Sequence, residues 1–554
     1  MTILGISCYY HESAAALIRD GRTIAASAQE RFSRKKHDPG FPDRAVDFCL
    51  KSAGIKAQEL DYVVFYEKPL RKFERNLLIS LEYFPRSASF FVDGMRNMLT
   101  EKLWIKSKIA SSLRIGEERI LFVPHHLSHA SASFYPSLFS HAAVLTLDGI
   151  GEWTTGMMGR ADGNKIYPEL ELRFPHSVGL LYSTFTAYLG FEVNDGEYKV
   201  MGLSGYGRPR YTAKIKKLYR QFRDGAVRLN LKYFAFQRSS ERMYSALFER
   251  EFKGLSRFDI AASIQKVTEE IILTMMRALY KRTKEENLVF GGGVALNSVV
   301  NGLIRKKTPF REVFIFPAAG DDGGAVGAAL YAYHHVLGYK KRFPLKDVFL
   351  GQQFNNAMVQ QFLYEKKSPH KRMSNKRLVD FISEQLLRGK VIGWFEGRAE
   401  FGPRALGHRS ILADPKDPNM KDIVNKKIKF REEFRPFAPV VLAEKAATYF
   451  SNTNTRVSPY MLETTSATSQ AKRFAAATVH VDGTSRIQSV AKDYPGNYRR
   501  LLEVFFKRTG RPILLNTSFN LKGEPIVNSP ADAYKTFERS GIDILVLENF
   551  VVEK

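Results

Sequence analysis

One pattern occurs twice in this chain, and the repetition restricts the fold more than any other feature. Residues 2–30 read as a strand (ILGIS), a polar loop (CYYHES), a strand of small residues (AAALI), a turn (RDG) and a third strand (RTIAAS). Residues 143–170 read the same way: AVLTL, the loop DGIGEWT, TGMMGR, the turn ADG and NKIYPELE. An Asp-Gly pair marks the hairpin in each copy, Asp20-Gly21 in the first and Asp162-Gly163 in the second.

Two such subdomains facing each other bring both polar loops to one cleft. That is the plan of the duplicated actin-like/sugar-kinase fold (ASKHA, ribonuclease-H-like), an α/β architecture that holds nucleotide between its halves. Two later junctions agree with it. GGGVALN at 291–297 and FIFPAAGDDGGAVGAAL at 314–330 each run from a strand through glycines into a helix. Such junctions aim backbone N–H groups at an anion. With 554 residues the chain is too long for one core, so further domains are expected.

The stretch VPHHLSHASASFYPSLFSHAAVLTLDGIGEWTT, residues 123–155, carries a candidate metal site. His125 and His129 are four apart and share one face of a helix, a spacing that suits two imidazoles on one ion. The apolar run that follows reads as a buried strand ending in Asp148, a third ligand at a strand tip. HHLSH lacks the Glu that a helical HExxH protease uses as its base, so no hydrolytic water activator is read there.

The formal net charge is +27, spread along the whole chain. It calls for anionic partners, whether nucleic acid, anionic lipid or small anions, and its even spread weakens the nucleic-acid reading. No apolar run reaches membrane-spanning length. Cys8 and Cys49 have no CxxC spacing, and MTILGISCYYHES reads as a strand and polar loop, so a reducing cytoplasm is expected. Lys36 and His37, in the basic run at 30–42, are candidates to touch an anion. Residues 70–115 read as a helical insertion with a basic amphipathic composition that suits an acceptor or a membrane surface. The run 195–207 is too rich in glycine for a helix interior and reads as a loop lining an acceptor pocket.

Residues 346–375 read as a connector after a first domain at 1–345. A helix follows at about 376–388, then the strand VIGWF. The loop EGRAEFGPRALGHRSILADP at 396–415 places Arg398, Arg404 and Arg409 among glycines and prolines. Lys426, Lys427, Lys429, Arg431 and Arg435 come next, and RPILLNTSFN brings Asn516, Thr517, Ser518 and Asn520 to a strand end. Together they describe a second anion site of charged and neutral donors. Ser529, Pro530 and Gly541 punctuate a C-terminal helix.

At this point the chain resembles the O-carbamoyltransferases of the NodU/TobZ family, nearly end to end. The motifs that carry it are GISCYYHESAAAL, HHLSHA, LDGIGEWTT, GEYKVMGLSGYG, GGGVALN, GDDGGAVGAAL, EFGPRALGHRSILADP, FRPFAPVV and LNTSFN. The resemblance implies a metal-binding actin-like transferase domain at 1–345 and a YrdC-like α/β domain at 376–554. The last ~35 residues are expected to pack back on the first domain in such a two-part chain. It implies that carbamoyl phosphate and ATP with Mg2+ give carbamoyl-adenylate in the YrdC-like part. The carbamoyl group then passes to a hydroxyl of a sugar-like or natural-product acceptor. Carried over by position, His125, His129 and Asp148 match the family's metal ligands, with Asp322 favoured over Asp321 as the fourth. The implied metal is iron, although zinc or manganese suits the same ligands. His11 and Lys36 match residues at the transfer site, where Asp148 also stands. Arg404, Lys429, Arg435, Arg486 and Asn516 fall where the family binds ATP and carbamoyl phosphate.

Two other readings compete. A tRNA threonylcarbamoyl-type transferase would use the basic charge for RNA, but no RNA-stacking motif is present and a second domain is attached. A non-catalytic nucleotide-binding protein of the actin-like fold would need no metal, which HHLSHA with Asp148 argues against.

Overall fold

A computed structural model describes residues 1–100 and 102–554. The chain divides into two units, residues 1–29 with 38–346 and residues 30–37 with 347–554.

The first unit holds two five-stranded sheets. β1 (Thr2–Ser7), β2 (Ala14–Arg19), β3 (Arg22–Ala28), β4 (Tyr62–Phe65) and β5 (Ile120–Phe122) lie in the order β3-β2-β1-β4-β5. β6 (His141–Leu147), β7 (Thr154–Asp162), β8 (Lys165–Arg173), β9 (Asn287–Gly291) and β10 (Glu312–Ile315) lie in the order β8-β7-β6-β9-β10. In each sheet the first three strands are antiparallel and the last two run parallel to the first. One topology built twice is the duplicated actin-like plan. β1 and β6 are central and almost wholly buried, which explains why their sequences read as unbroken apolar runs.

The two hairpins are not superposable residue for residue. Asp20 and Gly21 form the first turn, both at positive φ (50° and 81°), the geometry of a type I′ turn. In the second copy Asp162 still pairs with Lys165, so the turn is Gly163-Asn164 and the repeat is offset by one residue.

Helix α1 (His125–Phe134) follows β5, and helix α2 (Asp321–Tyr331) follows β10. Glycine lets α2 approach both α1 and β1. A Cβ on Gly327 would stand 1.8 Å from the Ser128 carbonyl oxygen, and one on Gly5 would stand 1.9 Å from that of Ala325. The glycines of GDDGGAVGAAL therefore serve close packing. Residues 195–207 depart from the expected loop: Glu197–Ser204 is a helix, with Val200 and Leu203 buried where it packs on the long helix Arg257–Thr283. Tertiary packing overrides the weak local propensity there. The insertion is helical as expected, with helices Pro69–Glu82, Ala88–Thr100 and Ile105–Leu113; residue 101 lies outside the described residues.

The second unit is built on an eight-stranded mixed sheet. Its strands are β11 (Lys371–Arg372), β12 (Ile392–Phe395), β13 (Arg409–Ala413), β14 (Ala438–Leu442), β15 (Gln488–Val490), β16 (Ile513–Ser518), β17 (Ile544–Leu547) and β18 (Phe550–Glu553). Their order is β11-β18-β17-β12-β13-β16-β14-β15. Two domain expectations, for residues 346–375 and for residues 30–37, are corrected by this arrangement. The stretch 346–375 is not a mere connector: it contains the helix Asn356–Glu365, whose Val359 and Leu363 join the core of this unit, and β11. The final 35 residues are part of this unit, with β17 inside the sheet between β18 and β12. Residues 30–37 group with this unit although they lie within 1–345. Arg31 donates to the Gly402 carbonyl (2.9 Å), and Arg34 to those of Pro525 (2.8 Å) and Ile526 (2.7 Å). Loop carbonyls need donors, and a basic run in the sequence does not disclose which carbonyls it serves. Among the described residues no helix is long and apolar enough to cross a membrane.

Candidate functional site

The His125–His129 pair and Asp148 meet as their spacing requires. Pro124 starts α1, and one turn brings the two Nε2 atoms to 3.0 Å. Asp148, one residue past β6, puts Oδ2 at 3.3 Å from His125 Nε2 and 2.9 Å from His129 Nε2. The fourth member corrects the sequence expectation: it is Asp321, not Asp322. Asp321 Oδ1 lies 3.6 Å from His125 Nε2 and 3.4 Å from His129 Nε2, and these four residues offer ligand atoms all within 4.8 Å of one another. Neighbouring helical positions differ by about 100°, so at the first turn of α2 only one of two adjacent aspartates can face α1. Asp321 is 1% exposed, whereas Asp322 is half-buried.

The arrangement fits a metal ion. Donors about 2.1 Å from a four-coordinate ion stand about 3.4 Å apart along tetrahedron edges, and the imidazole–carboxylate separations in the cluster run from 2.9 to 3.6 Å. Both carboxylate oxygens of Asp321 are buried without a well-formed hydrogen bond, a costly state unless a cation is shared. Burial alone would lower the His129 imidazole, but the Asp148 and Asp321 carboxylates overcome this and push it up to about 9. Burial would raise the Asp148 carboxyl, yet His125 and His129 hold it well below the usual range. The His129 imidazole and the Asp148 carboxylate are thus held where a cation is favoured, proton or metal. Two imidazoles and two carboxylates suit iron, zinc or manganese alike.

Surrounding groups orient this cluster, and most were not legible as site residues. The Glu152 carboxylate accepts from the backbone N–H of His125 (3.1 Å) and of Lys68 (2.7 Å), so it caps α1 at its positive end. The buried Arg75 donates to the carbonyls of Gly151 (2.7 Å) and Glu152 (2.6 Å), fixing the loop that begins at Asp148. The Lys72 ammonium meets Glu67 at 2.8 Å, also buried. His126, the third histidine of HHLSH, bonds Thr146 through Nδ1 (2.7 Å), and burial keeps it neutral, a packing role. His11 stands beside the cluster, its Nδ1 3.8 Å from Asp321 Oδ2. Lys36 is not in this unit; it lies half-buried in a turn of the 30–37 segment.

The second unit sorts its arginines sharply. Arg409 spends its guanidinium on the carbonyls of Glu396, His408, Gln352 and Gly397 and lies 3.6 Å over the Phe395 ring. Arg398 donates to Leu350 and Gly351. Both hold backbone, so of the three arginines in the Gly/Pro loop only Arg404 belongs to the charged cluster. Glu400 shapes that loop by accepting the N–H groups of Leu406, His408 and Arg409. The Arg486 guanidinium is held well below its ordinary range, first by burial and then by Arg404, Arg431 and Arg435. Arg404, Arg431 and Arg435 therefore all lie close enough to act on the charge of Arg486, while Arg435 also meets the Glu432 carboxylate at 3.7 Å. Asn516 lies alongside, donating to the Ala405 carbonyl (3.2 Å) and to Gln488 (2.8 Å), with its own oxygen buried and unbonded. Lys429 sits on a π-helical turn, Asn425–Lys429, and its ammonium reaches Ser518 O (2.8 Å) and Oγ (3.2 Å) and Asn520 O (2.9 Å) and Oδ1 (2.6 Å). Four acceptors for three protons mean that Lys429 joins the Ser518–Asn520 strand end to the Arg431–Arg435 segment. Burial, with Arg431 and Arg435 near, lowers it well below its ordinary range.

Comparison with known proteins gives the same two-part division. Residues 2–330 match the family described as Carbamoyltransferase N-terminus, and residues 383–554 match Carbamoyltransferase C-terminus. An uncharacterized protein of Synechocystis sp. is 43% identical over 598 residues, covering 100% of this chain and 96% of that protein. Nodulation protein NolNO of Sinorhizobium fredii is 36% identical, covering 99% of this chain and 79% of its own length. Nodulation protein NolO of Bradyrhizobium diazoefficiens is 37% identical over 78% of each.

Proposed function

The chain belongs to the carbamoyltransferase family, and from that membership we propose that it is an ATP-dependent O-carbamoyltransferase with its chemistry divided between its two units. In the second unit carbamoyl phosphate loses its phosphoryl group to water as inorganic phosphate, and the carbamate oxygen left behind attacks the α-phosphorus of ATP, forming carbamoyl-adenylate and displacing pyrophosphate. The first unit then passes the carbamoyl group to a hydroxyl of a sugar-like acceptor, and AMP leaves.

The observation that carries this reading is the basic set around Arg486, on which Arg404, Arg431 and Arg435 act, with the buried Lys429 ammonium held 2.6–3.2 Å from the Ser518–Asn520 strand end. Like charges held together raise the energy of the unliganded protein, and a polyanion relieves it. Triphosphate and carbamoyl phosphate are such ligands, and guanidinium forks suit their oxygens. Asn516 adds a neutral acceptor beside the cluster, suited to an N–H donor such as the carbamoyl nitrogen.

In the first unit, His125, His129, Asp148 and Asp321 would hold the metal, iron or else zinc or manganese. When bound, it supplies a Lewis acid that polarises a carbonyl. Arg75 and Glu152 keep the Asp148 loop and the start of α1 in register. His11, in the polar loop after β1, takes the proton of the acceptor hydroxyl through an imidazole nitrogen as the C–O bond forms. Carbamoyl-adenylate hydrolyses in water, so enclosure of the sites protects it. Both nucleotide and carbamoyl phosphate place the reaction in the cytoplasm. The acceptor is a neutral or acidic sugar hydroxyl, since a chain of net charge +27 repels a polycation.

The test is pyrophosphate release from ATP and carbamoyl phosphate, followed by an acceptor screen read as the mass gain of one carbamoyl group. Dependence of pyrophosphate release on carbamoyl phosphate supports the reading. Release that ignores carbamoyl phosphate overturns it.

A further inference from the structure

The helical insertion has its polarity reversed. In helix Pro69–Glu82 the stripe turned inward contains Lys72 and Arg75, while Leu70, Leu78 and Leu81 on the opposite side face solvent. In helix Ala88–Thr100, Val92 and Leu99 do the same, and Phe84 occupies the connection between the two helices. Surface helices ordinarily show the opposite pattern. Of nineteen exposed large apolar side chains among the described residues, eight fall within residues 70–104, so this is one patch and not the usual scatter. Phe84 is 72% exposed, Leu81 63%, Val92 62% and Trp104 59%. The two helices pack on each other and on the turn Lys102–Trp104, which joins the apolar residues into one surface.

We propose that this hairpin seats the protein on an anionic lipid surface, with Leu81 and Phe84 entering the headgroup boundary and Trp104 lying at its edge. Charge selects the lipid over a second copy of the chain. Two molecules of net charge +27 repel each other, whereas an anionic leaflet attracts each of them. Arg71, Arg86 and Arg96 stand exposed among the apolar residues, where a guanidinium can reach phosphate while its stem lies along the acyl boundary; Glu74, Glu82 and Asp93 are exposed there too, so the long-range attraction comes from the charge of the whole chain. No described helix can span a bilayer, so the contact is peripheral. It also bears on the site. The helix that presents Leu78 and Leu81 outward holds the carbonyls of Gly151 and Glu152 through Arg75, and so ends at the loop of Asp148. An acceptor hydroxyl offered at a lipid surface would meet the transfer unit from this side.

The experiment is sedimentation of the full chain with phosphatidylcholine vesicles, with and without about one-third phosphatidylglycerol, at moderate salt. Trp104 fluorescence is read in parallel. The protein is expected to pellet with the anionic vesicles and to show a blue shift that Trp104→Phe removes. The double variant Leu81→Glu, Phe84→Glu should lose about tenfold or more in vesicle affinity. Val92→Glu with Leu99→Glu, on the other helix, should lose as much, and Tyr364→Glu, an exposed aromatic of the second unit, should lose nothing. Failure of the wild type to pellet overturns the proposal. So does binding that both double variants retain, since that is charge attraction alone. A wild-type dimer in light scattering that the same variants render monomeric also overturns it, because the patch is then an interface between copies. Pyrophosphate release is unaffected in every arm, so failure of the lipid proposal is distinct from failure of the carbamoyl transfer reading.

Discussion

The two charged centres of this protein are built on opposite principles. In the first unit unlike charges meet: His125 and His129 against Asp148 and Asp321, within hydrogen-bond or near-contact distance, three of them buried and Asp148 at the open edge. In the second unit like charges meet: Arg404, Arg431 and Arg435 all act on the buried Arg486. A carboxylate–imidazole cluster can lower its energy by holding a proton, so it persists without ligand and exchanges protons for metal. A guanidinium cluster cannot shed its charge. The Glu432 carboxylate, 3.7 Å from Arg435, offsets part of its repulsion, and a bound polyanion would offset more. The same chain thus prepares one site for a cation and another for polyanions, and their failures should look different.

The largest expected effect is His129→Ala. It removes one ligand and the contact to Asp148, so bound metal, measured by elemental analysis, should fall from stoichiometric to near zero. Carbamoyl transfer should drop about a thousandfold, with circular dichroism unchanged. Retained metal together with retained transfer would show that the cluster is not the centre. Next is Arg404→Ala. Pyrophosphate release should fall about a hundredfold while metal content stays whole, and added carbamoyl-adenylate should restore part of the transfer. Loss of metal in this variant would mean that the two centres are not separable.

A buried carboxyl sharpens the comparison through pH. Burial raises Glu396 to about 7, although it accepts the N–H groups of Asn497 and Tyr498 at the start of helix Tyr498–Thr509. Its folded pKa lies above the unfolded value near 4.5, so the folded state binds the proton more tightly. Stability from this group is therefore present below about pH 4.5 and is lost as pH rises through about 7. Stability of the second unit should fall by about 3 kcal/mol across that window, and Glu396→Gln should flatten the profile. An unchanged slope in the variant would assign the dependence to other groups. The smallest effect has the opposite sign to most substitutions. Arg486→Gln should stabilise the unliganded protein by about 1 kcal/mol, because repulsion is removed, while weakening ATP. If chemical denaturation shows destabilisation instead, the arginines are not strained in the free protein.

Local periodicity and spacing carried much of the architecture. The repeated strand-loop-strand unit is legible in residues 2–30 and 143–170 because a buried strand must be apolar and a tight turn must hold residues that accept positive φ. His125, His129 and Asp148 follow from helix pitch and a strand end, both short-range geometry. The N-cap at Ser529 with Pro530 behind it follows for the same reason. The helix at 197–204 was hidden, since its stability comes from packing of Val200 and Leu203 on a helix far along the chain.

What the sequence determined by itself were the elements and the chemical classes of the two centres: a pair of imidazoles with strand-end and helix-start carboxylates, and a basic Gly/Pro loop. Tertiary structure alone decided which side chains serve them. Asp321 rather than Asp322 enters the cluster because α2 presents one face to α1. Arg409 and Arg398 leave the anion site because unpaired backbone carbonyls claim them, whereas Arg404 stays with Arg486. Residues 30–37 pass to the second unit because Arg31 and Arg34 find carbonyls there. The physical reason is common to all three. A side chain's identity fixes what it can bond, but its partner is fixed by which buried polar groups the folded backbone leaves unsatisfied, and that is a property of distant segments brought together.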